Sequence, residues 1–317
     1  MKYLLVCLVG GTLILVYLKS VPVHVDKPDC EKTRVVVKCI EDPSDVMTDG
    51  LESVQTIVPP NDRSGVPALC HDRIHPIKTE NRHLSKVERI KNDLCINNYR
   101  EEIKKGWKQF QYSNREPKHH NHHKYLTSES VVIEVGGNKG DDASALRELY
   151  RPYMYIVLEP MKLVFLKLKE RFIGTKNVIL YNFGLGALNG IFYVNIEGEE
   201  GEFTSLYRSS SVKGTCSLRI VNATSFFLLL GVGCYEVELL ILNCGGCEFD
   251  VIESLLASNL INFFRHVHFV SHSSLESVPD SVERYCRIQQ MLLRTHRPTY
   301  QFRFVTETWQ RKDIILK

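Results

Sequence analysis

Along the second half of the chain, short continuous apolar runs alternate with stretches in which apolar residues recur at helical spacing. Five apolar runs of four to six residues, rich in valine, isoleucine and leucine, predict strands that are buried on both faces. These runs are residues 131–134, 155–158, 177–181, 237–242 and 267–270. The stretches with helical periodicity are residues 141–150, 162–172, 225–232, 248–259 and 280–294. Because parallel strands need helical crossovers, this alternation predicts an α/β fold with a mostly parallel sheet.

Both ends of this region add to the expected architecture. Residues 300–304 and 305–309 predict an antiparallel hairpin at the C-terminal end, which brings the doubly wound sheet to seven strands. Residues 84–110 have apolar positions at helical spacing, and Trp107 and Phe110 would dock this helix on the sheet. Residues 84–317 are therefore predicted to form one domain.

The N-terminus carries a separate apolar segment. Residues 3–18 contain no charge and lie between Lys2 and Lys19. A helix of this length would measure about 24 Å, slightly less than the ~30 Å hydrocarbon core of a membrane. The pattern predicts an uncleaved signal anchor over residues 1–19, single-pass, with a lumenal domain in the Golgi or endoplasmic reticulum. A cleaved signal peptide and a secreted protein are the alternative.

The segment between the predicted anchor and the predicted domain is rich in proline. Residues 20–83 contain seven prolines and mixed charges, which predicts a stem. The chain has ten cysteines, and Cys30, Cys39 and Cys70 of the stem could be cross-linked in an oxidising compartment. The net charge of +3 gives no argument for a nucleic-acid partner, and none is expected.

Four histidines within residues 118–124 invite comparison with a metal site. Adjacent histidines on a loop rarely converge on one ion, and no cysteine or carboxylate is spaced to complete a tetrahedral set. The segment is interpreted as a loop before the first strand, and no metal site is predicted.

Residues 131–141 combine a strand, a tight turn and the start of a helix. Gly136 follows the strand and Gly140 opens the helix. Glycine allows a positive φ and a close approach of a ligand, while the N–H groups of a helix start attract polar or anionic groups. The second strand stops on Glu159, 25 residues after Glu134. An acid there commonly hydrogen-bonds a ribose, so a ribose-containing ligand is expected.

These segments resemble the first two motifs of the FkbM-like S-adenosylmethionine-dependent methyltransferases, which have the class I methyltransferase fold. The family pattern, acid-x-Gly-x-Asn-x-Gly-Asp, is matched by Glu134, Gly136, Asn138, Gly140 and Asp141. Segments similar to later motifs follow in the family's order at residues 182–186, 201–206, 237–248 and 268–272. The chain looks like a metazoan-type, membrane-anchored member.

The resemblance implies S-adenosylmethionine as the cofactor and a small-molecule or glycan acceptor. The residues that it assigns to cofactor binding are Glu134, Gly136, Asn138, Gly140, Glu159 and Asn182. The expected reaction is O-methylation of a hydroxyl group on a glycan or a small secreted molecule. The sequence leaves the oligomeric state open.

The acceptor side departs from the family pattern, Lys-Ile-Asp-x-Glu-Gly-x-Glu. Gly246 and Glu248 are kept, whereas Ile241, Asn243 and Gly245 replace the lysine, the aspartate and the first glutamate. These changes remove or neutralise three polar or charged groups. A catalytically inactive relative that binds the cofactor or a partner is therefore the alternative function.

Three residues are candidates for the chemistry at the acceptor. His272 follows the fifth strand, and histidine is the side chain best suited to act as a base near neutral pH. A glutamate such as Glu248 would need desolvation to become comparably basic, and Asn243 could orient a hydroxyl without accepting its proton. The alternatives are that Glu248 caps its helix and that His272 only packs below the loop.

Cys244 and Cys247 flank two glycines, as in a redox Cys-x-x-Cys motif. A thioredoxin-type motif would open a helix early in a different βαβ arrangement, and a zinc site would need a second cysteine pair. Residues 244–247 are therefore predicted to form a turn.

Overall fold

Strands and helices alternate along most of the computed structural model, which describes residues 3–9, 12–18, 50–57, 83–113, 122–196, 201, 203–207, 216–272 and 278–315. The strands are β1 (Tyr3–Val9), β2 (Thr12–Leu18), β3 (Val131–Val135), β4 (Met154–Leu158), β5 (Val178–Tyr181), β6 (Gly184–Gly186), β7 (Gly190–Val194), β8 (Cys216–Asn222), β9 (Val237–Leu242), β10 (Phe264–Val270), β11 (His296–Phe302) and β12 (Thr306–Arg311). The α-helices are α1 (Lys86–Asn97), α2 (Tyr99–Ser113), α3 (Asp141–Tyr150), α4 (Lys162–Arg171), α5 (Ala223–Leu230), α6 (Cys247–Ser258) and α7 (Ser281–Leu292). The chain divides into two compact units, residues 1–38 and 39–317, and each is described by itself.

The N-terminal unit contains β1 and β2, which pair antiparallel along their full length. The helix predicted for residues 3–18 is therefore wrong. Gly10 and Gly11 stand at the midpoint of this segment, where a Gly-Gly pair favours a hairpin, and the β-branched residues on either side favour strands. Among the described residues, no helix is both long and apolar enough to span a bilayer.

The second unit is built on a seven-stranded sheet in the order β11-β12-β10-β9-β3-β4-β5. The five strands from β10 to β5 are parallel, and β12 is antiparallel to both of its neighbours. The predicted mostly parallel seven-stranded sheet with a C-terminal antiparallel hairpin is confirmed. From β3 the chain adds β4 and β5 on one side and later β9 and β10 on the other, so the strand order reverses between β3 and β9. Ligands of open α/β sheets bind beyond the carboxyl ends of the strands at such a reversal.

Helices cover both faces of this sheet, because alternate residues of the central strands point to opposite sides. Ile133 and Leu240 belong to the larger core, which includes side chains of α5, α6 and α7. Val132 and Leu239 point the other way and pack with residues of α3 and α4. All five residues of β3 are buried, which explains why the strand is an uninterrupted apolar run apart from Glu134.

Three further strands form a smaller sheet in the order β6-β8-β7. In this sheet β8 pairs parallel with β6 and antiparallel with β7. The sequence analysis missed β8. Its residues alternate between buried and half-buried positions over most of the strand, a period of two that the sequence already contains.

The predicted helix over residues 84–110 is in fact two helices. Ser85 begins α1 with a capping box, in which its side chain accepts from the Glu88 N–H and the Glu88 carboxylate accepts from the Ser85 N–H. Arg294 donates two hydrogen bonds of 2.8 Å to the same carboxylate. Asn98 separates α1 from α2, and asparagine is a poor helix former.

Disulfide bonds are a feature of the second unit. Cys95 of α1 is bonded to Cys286 of α7, across 191 residues of sequence. Cys216 and Cys234 are also disulfide-bonded. Cross-links of this kind persist in oxidising compartments.

Part of the predicted stem packs on the sheet domain. Ile57 is buried, and its N–H donates a 3.0 Å hydrogen bond to the Leu230 carbonyl at the end of α5. The Thr56 hydroxyl donates to the neighbouring Leu229 carbonyl at 3.0 Å. Residues 50–57 are therefore part of the packed unit, whereas residues 58–82 lie outside the described chain.

Candidate active site

The turn after β3 brings the ends of three strands together. Gly136 has a φ of 85°, and a Cβ added there would lie 2.3 Å from the carbonyl oxygen of Asn243, the residue after β9. Only glycine fits such an approach. Asn138 adopts a φ of 49°, and its N–H donates a 2.9 Å hydrogen bond to Oε2 of Glu159, the residue after β4.

Glu159 holds this arrangement from the β4 side. Its second oxygen, Oε1, accepts a 2.9 Å hydrogen bond from the Met161 N–H. Burial raises the pKa of Glu159 to about 7, although its two backbone hydrogen bonds oppose the shift. Asn182 fixes the same turn from behind, since its Nδ2 donates to the Glu159 carbonyl at 2.8 Å. Each carboxylate oxygen has two lone pairs, so Glu159 can accept further bonds from a ligand.

Glu134 lies beneath the turn. The Tyr155 hydroxyl donates a 2.8 Å hydrogen bond to its Oε2, and both side chains are buried. Burial raises the pKa of Glu134 to about 8, and the negative charge of Asp142 adds to the effect. The carboxyl group therefore supports the turn from inside the protein.

A cavity of about 350 Å³, here called the turn cavity, lies over these strand ends. Five of the nine predicted site residues line it, namely Gly136, Asn138, Glu159, Asn243 and His272. The other four are placed around it. Asn182 and Glu248 bond to the lining residues Glu159 and His272, respectively. Glu134 lies beneath the turn and bonds to Tyr155, and Gly140 starts α3 with a φ of 82°.

Glu248 and His272 form a hydrogen-bonded pair beside the turn cavity. Glu248 is 1% exposed, and its Oε1 accepts a 2.8 Å bond from the His272 N–H while lying 3.0 Å from His272 Nδ1. Its Oε2 accepts from the Gly246 N–H at 2.9 Å, so the predicted capping role is also present. A neutral imidazole that donates from Nδ1 carries its acceptor lone pair at Nε2.

The loop between β9 and α6 is closed by a disulfide bond between Cys244 and Cys247. Gly245 and Gly246 have φ values of 67° and 118°, so the predicted turn is present. Cys247 is the first residue of α6, so this helix begins one residue before its predicted start at Glu248. Cys244 lines the turn cavity.

A second cavity of about 320 Å³, here called the aromatic cavity, shares Asn243 with the turn cavity. Trp107 and Phe110 of α2 line it, together with Tyr300 of β11 and His268 of β10. His268 was not among the predicted site residues. The available signal was the pair of histidines at positions 266 and 268, which lie on one face of an otherwise largely apolar strand.

No group of three histidine, cysteine, aspartate or glutamate side chains within the described residues could hold a metal ion. His122 and His123 of the predicted loop line the aromatic cavity, and His123 is buried. His119 and His120 lie outside the described residues.

No family model and no curated protein matches the chain. Among solved structures, it is similar to an rRNA methylase from Streptococcus thermophilus, with 13% identity over 62% of this chain and 96% of that chain and a TM-score of 0.36. A Streptococcus mutans protein solved in complex with SAH has 11% identity over 58% of this chain and 88% of that chain, with a TM-score of 0.35. A ribosomal protein L11 methylase from Lactobacillus delbrueckii has 13% identity over 57% and 70%, with a TM-score of 0.32.

These TM-scores are too low to carry an argument about cofactor or substrate. The resemblance to the FkbM-like family accordingly rests on the sequence motifs alone.

Proposed function

We propose that this protein is an S-adenosylmethionine-dependent methyltransferase with an FkbM-like sequence. The observation that carries the proposal is the turn cavity, where a glycine turn and the acid at the end of the next strand line one space. This space lies where the strand order reverses, which is the usual ligand position in such sheets.

The residues of the turn cavity suit this cofactor. Glu159 would accept hydrogen bonds from the ribose hydroxyls. Pro160, Met161 and Phe203 offer apolar surface near Glu159 for the adenine ring. The bound cofactor would supply a methyl group on a positively charged sulfur. Asn243 and His272 line the same cavity, so groups able to meet an acceptor lie in the space that would hold the cofactor.

Methyl transfer to a hydroxyl requires that its oxygen be aligned with the methyl carbon and lose its proton. We assign the alignment to the amide of Asn243 and the proton acceptance to His272. Glu248 supports this assignment because its contact with Nδ1 orients the imidazole and fixes the tautomer. The proposed reaction is O-methylation of a glycan or a small secreted molecule.

The alternative is an inactive relative that binds the cofactor without turnover. It is motivated by Ile241, Asn243 and Gly245, which stand where the family pattern has charged residues. Incubation with labelled S-adenosylmethionine and a panel of glycans and metabolites separates the two proposals. A labelled product favours the enzyme, whereas measurable cofactor binding with no product from any acceptor favours the inactive relative.

We further propose that the sheet domain resides in the lumen of the secretory pathway. The disulfide between Cys95 and Cys286, and those of Cys216 and Cys234, support an oxidising compartment. Protease treatment of sealed microsomes tests the proposal. Digestion of the sheet domain without detergent would contradict it, and recovery in the medium would favour the secreted form.

One structural neighbour is an rRNA methylase. A net charge of +3 gives little electrostatic support for RNA as the acceptor here. We therefore propose that the protein has no nucleic-acid partner. RNA binding that weakens steeply with rising salt concentration would contradict this proposal.

A further inference from the structure

The aromatic cavity has a floor built from three neighbouring strands. His268 of β10 pairs with Ile241 of β9 on one side and with Thr308 of β12 on the other, so these residues form one row across the sheet. Val270 and Thr306 form the next row. Side chains two residues apart on a strand share a face, so both rows face the same space. The cavity is thus part of the rigid sheet, at the carboxyl ends of β9 and β10.

Rings dominate the lining of this cavity. Six of its fourteen residues have planar rings, namely Trp107, Phe110, His122, His123, His268 and Tyr300. The Trp107 and Phe110 rings pack edge to face with centroids 5.7 Å apart, and His122 lies on Tyr300 with centroids 4.6 Å apart. Trp107 nevertheless remains 44% exposed. An exposed tryptophan in an apolar pocket is a typical contact surface for a flat ligand.

The lining also limits the charge of an occupant. No lysine or arginine lines the cavity, and Asp142 is its one acid. His268 is partly buried, its Nδ1 lies 2.8 Å from the Thr308 hydroxyl, and desolvation lowers its pKa to about 4, so its imidazole is neutral at neutral pH. An anionic ligand would find no cation to offset its desolvation. The site therefore disfavours an anionic molecule.

The aromatic residues of the lining suit a flat ring better than the hydroxyl-bearing edge of a sugar. A monosaccharide carries hydroxyl groups around its whole edge, and each one left against a ring face would lose its hydrogen bonds to water without replacement. A phenol carries a single hydroxyl group and an edge that tolerates apolar contact. Asn243, which lines both cavities, marks the place where that hydroxyl would reach the turn cavity.

We propose that the aromatic cavity binds a phenolic small molecule without an anionic group, whose hydroxyl group reaches Asn243 and is methylated there. The inference rests on the proposed function and narrows its acceptor class. The phenol oxygen forms a bond to the methyl carbon as the carbon–sulfur bond breaks, leaving its electron pair on sulfur. The phenolic proton passes to His272. This transfer is easier from a phenol, with a pKa of roughly 10, than from an alcohol, which is much less acidic.

The test uses 2-naphthol as the probe and its saturated analogue decahydro-2-naphthol, which has the same size, as the matched control. Methyl β-glucoside represents the sugars. The full chain is first tested for S-adenosylmethionine binding by calorimetry, and the three compounds are then offered with labelled cofactor. We expect methylated 2-naphthol and no product from the other two.

Trp107→Ala should raise KM for 2-naphthol at least about tenfold, while Trp107→Phe, which keeps a ring, should restore most of the loss. Both variants should bind the cofactor like the parent, which separates a local effect from a folding defect. Tyr112→Ala changes an exposed aromatic residue of the same helix outside the cavity lining and is the control.

The outcomes distinguish a failure of the proposed function from a failure of the phenol inference. A chain that does not bind S-adenosylmethionine contradicts the proposed function itself. A chain that binds the cofactor but methylates the glucoside or the saturated alcohol in place of 2-naphthol overturns the phenol inference alone. No product from 2-naphthol, or an unchanged KM in Trp107→Ala, overturns it as well.

Discussion

Glu134 and Glu159 show how burial at single residues sets the protonation of this site. Burial raises both pKa values above the ordinary 4.5, to about 8 and about 7 respectively. The folded protein therefore holds these protons more tightly than the unfolded chain does. Their contribution to stability is fully present below about pH 4.5 and is lost as the pH rises towards 8.

The variant Glu134→Gln tests this linkage. Glutamine cannot ionise, but its amide oxygen can still accept the Tyr155 hydroxyl bond. The parent should lose free energy of unfolding between pH 5.5 and pH 8, and the variant should lose clearly less, as measured by urea denaturation at both pH values. Glu129→Gln, at an exposed site, should behave like the parent. Equal pH dependence in parent and Glu134→Gln would show that Glu134 ionises normally.

His272 is the residue on which the proposed chemistry depends. Removing a general base typically lowers the rate about 10²–10⁴-fold. His272→Gln should therefore bind S-adenosylmethionine like the parent in calorimetry, yet transfer label to an identified acceptor at least about a hundredfold more slowly. Lys124→Gln, at an exposed position, is the control. An unchanged turnover rate would remove His272 from the mechanism.

At the scale of elements, the loop between β9 and α6 links the disulfide to the site. Replacing Cys244 and Cys247 together by serine frees a segment that contains two glycines with positive φ. Re-ordering one or two residues on binding costs about 1–2 kcal/mol each, so cofactor affinity should fall roughly five- to thirtyfold or more. Calorimetry on the double variant measures the change. An unchanged affinity would mean that the disulfide does not organise the cavity.

The disulfide between α1 and α7 serves as the control for the Cys244 and Cys247 double variant. Replacing Cys95 and Cys286 together by serine removes a cross-link over a long loop, which typically costs about 2–5 kcal/mol of stability. Cofactor affinity should stay close to that of the parent, because neither residue lines the turn cavity. Urea denaturation and calorimetry on the same preparation test both statements. Loss of cofactor affinity without loss of stability would show that this disulfide organises the cofactor site and does not stabilise the fold.

At the scale of the whole molecule, the sequence predicts the sheet well because its strands are short apolar runs with helices between them. The run of β3 and the acid after β4 are local signals, so Gly136 and Glu159 could be placed beside one ligand. The hairpin of β11 and β12 was also recognisable, with boundaries shifted by a few residues.

The features that could not be predicted from the sequence depend on contacts between segments that are distant along the chain. His268 belongs to a cavity only because β12 and α2 pack around it. Glu134 has the family's motif position, yet its side chain points inward to Tyr155, and a motif does not record that direction. The apolar segment at residues 3–18 fits a helix by length, whereas its central glycines favour the hairpin that the structure has.

Calorimetric titration of the full chain with S-adenosylmethionine tests whether the turn cavity binds this cofactor through Glu159. The measurement is made at pH 8, where a carboxyl group with a pKa of about 7 is mostly ionised. Glu159→Ala removes charge-assisted hydrogen bonds worth about 1.5–3 kcal/mol, so its affinity should be roughly ten- to a hundredfold weaker. The parent should also bind more weakly at pH 6, where protonation reduces the acceptor capacity of the carboxylate. We expect saturable binding by the parent, the stated loss of affinity in Glu159→Ala, and an unchanged affinity in Glu129→Ala. Absence of binding by the parent, or equal binding by Glu159→Ala, would contradict the account.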